Sequence, residues 1–119
     1  MTKPYVVYEY EDASGYSELR EWRRSLRRSN PKASAKVDWL IALLEEKGTT
    51  LSFPYVSHID GPIYELRGKT GRNAVRIYYW QQEREIFIAA AGEVKQQNQA
   101  DRKLIKKALA AFEEYNEEG

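Results

Sequence analysis

The run Val75-Arg76-Ile77-Tyr78-Tyr79-Trp80 has the most chemically suggestive spacing in the chain. In a β-strand alternate side chains share a face, so Arg76, Tyr78 and Trp80 fall on one side and Val75, Ile77 and Tyr79 on the other. If the apolar set packs on helices, a guanidinium and two rings form an exposed row. Such a row suits an RNA strand, because arginine pairs with a phosphate while rings stack on unpaired bases. A solvent-facing strand with cation–π packing has the same pattern, and the run alone leaves both readings open. Arg67 ends the apolar run before it, and Lys95 follows the run after it.

RNA can be cut with neither a metal nor a histidine. The ribose 2′-OH attacks its own phosphate, and the protein must take a proton, neutralise the growing negative charge and assist the departing 5′-oxygen. Arginines at ~3 Å from the phosphoryl oxygens meet the second need. A lysine crowded by arginines has its pKa lowered and can serve as base, and a tyrosine can assist in the same way. These residue types permit the scheme without specifying it.

Other chemistries are poorly served. With no cysteine and one histidine, His58, a zinc site is nearly excluded, and no cofactor or metal is expected. Gly68-x-x-Gly71 lies between strand-like runs and lacks the helix that a phosphate loop requires. No nucleophile-elbow sequence accompanies the histidine, and paired carboxylates in an apolar setting are missing.

The elements that must position these groups are legible. Residues 5–10 are β-branched and aromatic and predict a strand. Ser14 or Ser17 can cap a helix carrying Leu19, Trp22 and Leu26 at helical spacing. Asn30-Pro31 restarts a second helix with Val37, Leu40, Ile41 and Leu44 as its stripe, and Lys47-Gly48 ends it. Residues 49–60, with Pro54 and no sustained period, read as an ordered loop. Three strands follow, over 63–67, 73–80 and 85–91, and their short connections predict an antiparallel meander. Asn98, with Asp101 three positions on, resembles a cap for a final helix lined by Leu104, Ile105, Ala108, Ala111, Phe112 and Tyr115. The expected fold is α+β: strand, helical hairpin, three-stranded antiparallel meander, C-terminal helix. At 119 residues, 1–119 is expected to be a single domain.

Net charge is +1, with cations and acids unevenly placed. Arg20, Arg23, Arg24, Arg27, Arg28, Lys32 and Lys36 face only Glu21, and Arg67, Lys69, Arg72 and Arg76 face only Glu65. A neutral total can conceal a basic face. No stretch approaches the ~18 apolar residues of a membrane span. The first residues enter a strand-like run without a signal-peptide apolar region, so a cytoplasmic protein is expected.

The segments Pro54-Tyr55-Val56-x-His58-Ile59-x-Gly61-x-Ile63-Tyr64-Glu65-Leu66-Arg67, Arg72-x-x-x-Arg76-Ile77-Tyr78-Tyr79 and Gly92-x-Val94-Lys95 together resemble the phage-derived HigB-like branch of the RelE/ParE toxin superfamily. The likeness covers roughly residues 51–115, and its most specific part is the aromatic-Glu-Leu-Arg strand followed by an Arg-apolar-aromatic strand. It implies a RelE-like fold and a toxin of a type II toxin–antitoxin system. Such toxins are metal-independent endoribonucleases that cut mRNA, usually at the ribosome, and are neutralised by a helix-turn-helix antitoxin. Arg67, Arg76 and Lys95 fall where the family keeps basic residues, and Tyr78 or Tyr79 where it keeps an aromatic. Arg67, Arg76, Lys95 and Tyr78 are thereby the catalytic candidates, with Arg72, Trp80, Lys69 and His58 as RNA-binding candidates. Residues 91–101 depart from the pattern: Lys95 alone remains of a lysine pair, Glu93 replaces an aromatic and Asp101 a proline.

The alternative is a non-enzymatic protein on the same fold, either a ParE-like gyrase inhibitor or a degenerate toxin kept as an antitoxin-binding partner. The nuclease reading requires Arg67, Arg76 and Lys95 to converge into one positive hollow. Cations tied up by carboxylates such as Glu65 and Glu93 would remove it.

Overall fold

A computed structural model describes residues 3–96 and 99–117. The elements are β1 (Val6–Glu9), α1 (Glu18–Ser29), α2 (Pro31–Lys47), a 3₁₀ turn (Gly48–Thr50), β2 (Val56–Asp60), β3 (Ile63–Thr70), β4 (Asn73–Glu83), β5 (Ile86–Lys95) and α3 (Arg102–Asn116). The helix boundaries follow their caps. The Ser17 hydroxyl accepts from Arg20 N, and the Asn30 side chain accepts from Ala33 N ahead of Pro31. Gly48 closes α2 at φ +54°, and a Cβ there would stand 2.0 Å from the Tyr5 ring, so glycine is required twice over. The Asp101 carboxylate caps α3 by accepting from Lys103 N, three residues after the expected cap at Asn98, which lies outside the described residues.

The strands form one sheet in the order β1-β5-β4-β3-β2. The predicted meander is present: β3–β4 and β4–β5 are antiparallel. β1 pairs in parallel with β5, because the helical hairpin carries the chain across the sheet before it returns. Residues 56–60 are a correction to the loop expectation, since they form an edge strand antiparallel to β3. Their local pattern is weak, and pairing with β3 supplies the order that periodicity does not reveal.

The second correction concerns exposure. Leu19, Leu26, Val37, Leu40 and Leu44 from α1 and α2 pack on Leu66, Val75, Ile77 and Tyr79, as the alternation requires. The opposite face is not open: α3 lays Ala108 and Ala111 over Ile63, Tyr78, Trp80, Ile88 and Ala90. Arg76, Tyr78 and Trp80 share a face as expected, yet Tyr78 and Trp80 are 0% exposed and Arg76 is 3% exposed. Alternation assigns residues to a face; whether a helix covers that face is decided by distant sequence.

Candidate functional site

Three neighbouring strands each contribute two polar residues spaced by two: Glu65 and Arg67 on β3, Arg76 and Tyr78 on β4, Glu93 and Lys95 on β5. Period two sends each pair to the α3 face. Register then stacks Arg67 opposite Arg76 and Arg76 opposite Glu93, with Glu65 opposite Tyr78 and Lys95 opposite Ala74. The three expected cations therefore do gather on one face from separate strands.

They do not form a free positive hollow. Arg76 Nε lies 3.3 Å from Glu65 Oε2 and Arg67 Nε lies 3.8 Å from Glu65 Oε1. Lys95 Nζ lies 3.0 Å from Glu93 Oε1. The other Glu93 oxygen accepts from the Tyr78 hydroxyl at 2.5 Å and from Asp101 N at 3.0 Å, which ties the start of α3 to the sheet. Glu65 and Glu93 are themselves buried. Glu65 Oε2 accepts no hydrogen bond of standard geometry among the described residues and is held by the charge of Arg76.

Burial pushes the Glu65 carboxyl above its ordinary range, against the lowering effect of Arg76 and then Arg67. Burial also pushes the Tyr78 phenol far up, reinforced by its hydrogen bond to Glu93. Tyr78 is thus a buried, firmly protonated donor, poorly suited to exchange a proton with an RNA strand.

The other candidates scatter. Trp80 is core: its Nε1 donates to Gln82 Oε1 at 2.7 Å and its ring meets Phe112 edge-on at 5.4 Å. His58 sits on edge strand β2 opposite Tyr64, whose parity belongs to the other sheet face, and the two rings are 5.1 Å apart. Its Nε2 is 2.8 Å from the Gly61 carbonyl. Lys69 and Arg72 are exposed at the β3–β4 turn. Arg67, Gly68, Lys69 and Arg76 line a hollow of about 260 Å³ with Pro54 and Tyr55. Phe53 adds a contact that sequence reasoning missed: the Arg67 guanidinium lies 5.2 Å from its ring centre. Glu65 and Glu93, the carboxylates that the sequence marked as able to tie up these cations, do engage them, and the shared spacing of 65/67, 76/78 and 93/95 carries the signal.

Among the described residues no group of His, Cys, Asp or Glu is placed to hold a metal. No described helix is long and apolar enough to cross a membrane. Residues 24–113 match the model of a family described as phage-derived protein Gp49-like. No curated protein matches the chain.

Proposed function

The chain belongs to the phage-derived Gp49-like family, a family of toxin–antitoxin toxins related to RelE-like toxins, and from that premise we propose that it works by binding a protein partner rather than by cutting RNA. One observation carries this reading: each catalytic candidate is already engaged by a buried carboxylate, Arg67 and Arg76 by Glu65, Lys95 and Tyr78 by Glu93. A phosphate entering here would have to compete with these carboxylates, and at Arg76, which is buried with Glu65, the charge pair is hard to break. Lys95 would serve as base only after leaving Glu93, and the Tyr78 hydroxyl is sealed under α3.

The partner in this reading is a helix-turn-helix antitoxin, met in the cytoplasm, with 1–119 acting as one domain. The nuclease expectation, with mRNA and the ribosome as partners, is replaced by stoichiometric binding. A protein target of the toxin itself, as in gyrase inhibition, is compatible with that mode of action.

The test is expression in cells with mapping of mRNA ends, beside a pull-down with the product of the adjacent gene. Intact mRNA together with tight, stoichiometric capture of that product is the expected result. Fragments ending in cyclic phosphate, lost in Arg67→Ala, would restore the nuclease.

A further inference from the structure

Exposed rings meet exposed cations where the loop before β2 lies against α2. Phe53 is 72% exposed, and with exposed Trp39 and Tyr55 it lines a hollow of about 320 Å³ whose wall includes Leu43 and Leu51. Tyr55 also lines the hollow that holds Arg67 and Lys69, so the two cavities adjoin across one side chain. A cluster of large apolar groups left in water contributes little to the fold and marks a surface that another molecule can cover.

Cations frame these rings. Lys36 Nζ lies 4.7 Å from the Trp39 ring centre, and the Arg67 guanidinium 5.2 Å from that of Phe53. Lys47 lines the first hollow and Lys69 the second, and neither they nor Lys36 make an ion pair among the described residues. No acid lines either hollow; Glu65, 3.8 Å from Arg67, is buried. Other parts of the surface separate these properties. Arg102 and Lys106 border a hollow with Ile105 and Leu109 that has no ring and includes Asp60. Tyr10 and Tyr16 border one with Asp12, Glu18 and Glu114.

We infer that the shelf of Trp39, Phe53 and Tyr55 seats an acidic segment of a protein partner, with a large apolar side chain beside Leu43 and Leu51 and carboxylates on Lys36 and Lys69. The inference rests on the protein-partner reading above and assigns that partner a surface. An apolar anchor takes the ring edges and the leucine wall out of water, and aromatic residues with arginine are the types that carry binding energy at protein interfaces. The sign of the segment follows from the rim: a carboxylate gains charge-assisted hydrogen bonds from the lysines, whereas a basic segment is repelled. A single-stranded nucleic acid needs open ring faces on which successive bases stack. Here Tyr55 stands at 63° to Trp39, with ring centres 5.8 Å apart, and Lys36 lies over the Trp39 ring. Rings so inclined box in a bulky side chain and offer no row of parallel faces.

The experiment is calorimetric titration of the full chain with the product of the adjacent gene, in wild type and single variants whose folding is checked by circular dichroism. Phe53→Ala and Trp39→Ala are each expected to weaken binding by about tenfold or more. Phe53→Leu, which keeps an apolar group, should lose less, and Lys69→Glu should lose more than Lys69→Gln. Tyr8→Ala and Lys106→Glu, an exposed ring and an exposed cation elsewhere, should change affinity by less than about twofold. A photo-cross-linking side chain at position 53, read by mass spectrometry, should mark a partner segment rich in Asp and Glu around a large apolar residue. Wild-type affinity in both ring variants, or a cross-link to a basic segment, would overturn the inference and leave the partner reading standing. No binding of the product to the wild type would overturn both. Tighter, Phe53-dependent binding to a single-stranded RNA than to the protein would overturn the choice of occupant.

Discussion

Arg76 on β4 and Glu65 on β3 are diagonal neighbours on the sheet face under α3, with the guanidinium Nε 3.3 Å from the carboxylate and both side chains buried. A buried pair of this kind adds modest stability as a whole, but losing one member strands the other charge without water. Arg76→Ala is therefore expected to lower unfolding stability by about 3–5 kcal/mol. Arg67→Ala removes a longer contact from a side chain that solvent reaches, and should cost under about 1 kcal/mol. Urea unfolding of the two variants measures the contrast. Equal, small losses would mean that Arg76 is available to a ligand and not committed to the fold.

The raised Glu65 pKa makes a prediction with a definite sign. Its folded value lies above the ordinary 4.5, so the native state keeps a proton that the unfolded chain has released. Its contribution to stability is then fully present below that unfolded value and is lost as pH climbs through the folded one. Glu65→Gln cannot titrate, so the stability difference between wild type and variant should drift against the wild type across this interval and flatten above it. Denaturation midpoints at several pH values read the drift directly. A difference that is flat, or that moves the other way, would mean that Arg76 and Arg67 outweigh burial.

How much of this was legible before the fold was known depends on the range of the signal. Caps at Ser17, Asn30 and Gly48, the strands through Arg67 and Trp80, and the shared face of Arg76, Tyr78 and Trp80 are local or periodic, and all reappear. The cover over that face is supplied by α3, more than twenty residues further on, and no strand pattern reports it. β2 was invisible for a similar reason, since an edge strand takes its order from β3. The site was half legible: spacing brought Arg67, Arg76 and Lys95 to one face. The partners that neutralise them were in plain view at 65 and 93, each two residues from a cation on its own strand.

Gly92 of β5 faces Trp22 of α1, and a Cβ there would stand 2.4 Å from the indole Cζ3. The surrounding sheet cannot retreat, because Gly92 is paired with Ile77 in the middle of β4. Gly92→Ala should cost about 1–3 kcal/mol through overpacking and shift the tryptophan fluorescence. Adding Trp22→Leu should recover part of the loss, since the two changes meet in one contact. Additive losses in the double variant would place the strain in the backbone.

Glu93 offers the sharpest separation between a fold role and a phosphate-site role. Two donors, the Tyr78 hydroxyl and Asp101 N, converge on one of its oxygens while Lys95 holds the other. In Glu93→Ala the buried phenol has no acceptor, and an orphaned buried donor costs about 1–3 kcal/mol. The start of α3 loses its anchor to the sheet as well. Faster amide exchange at Lys103 and Leu104 is expected, together with a Tyr78 phenol that ionises at lower pH than in the wild type, because its acceptor is gone. Glu93→Gln keeps an acceptor and should restore part of both effects. If Glu93 were instead a bystander beside a phosphate site, its removal would leave α3 exchange unchanged and strengthen RNA binding, so one variant separates the two roles.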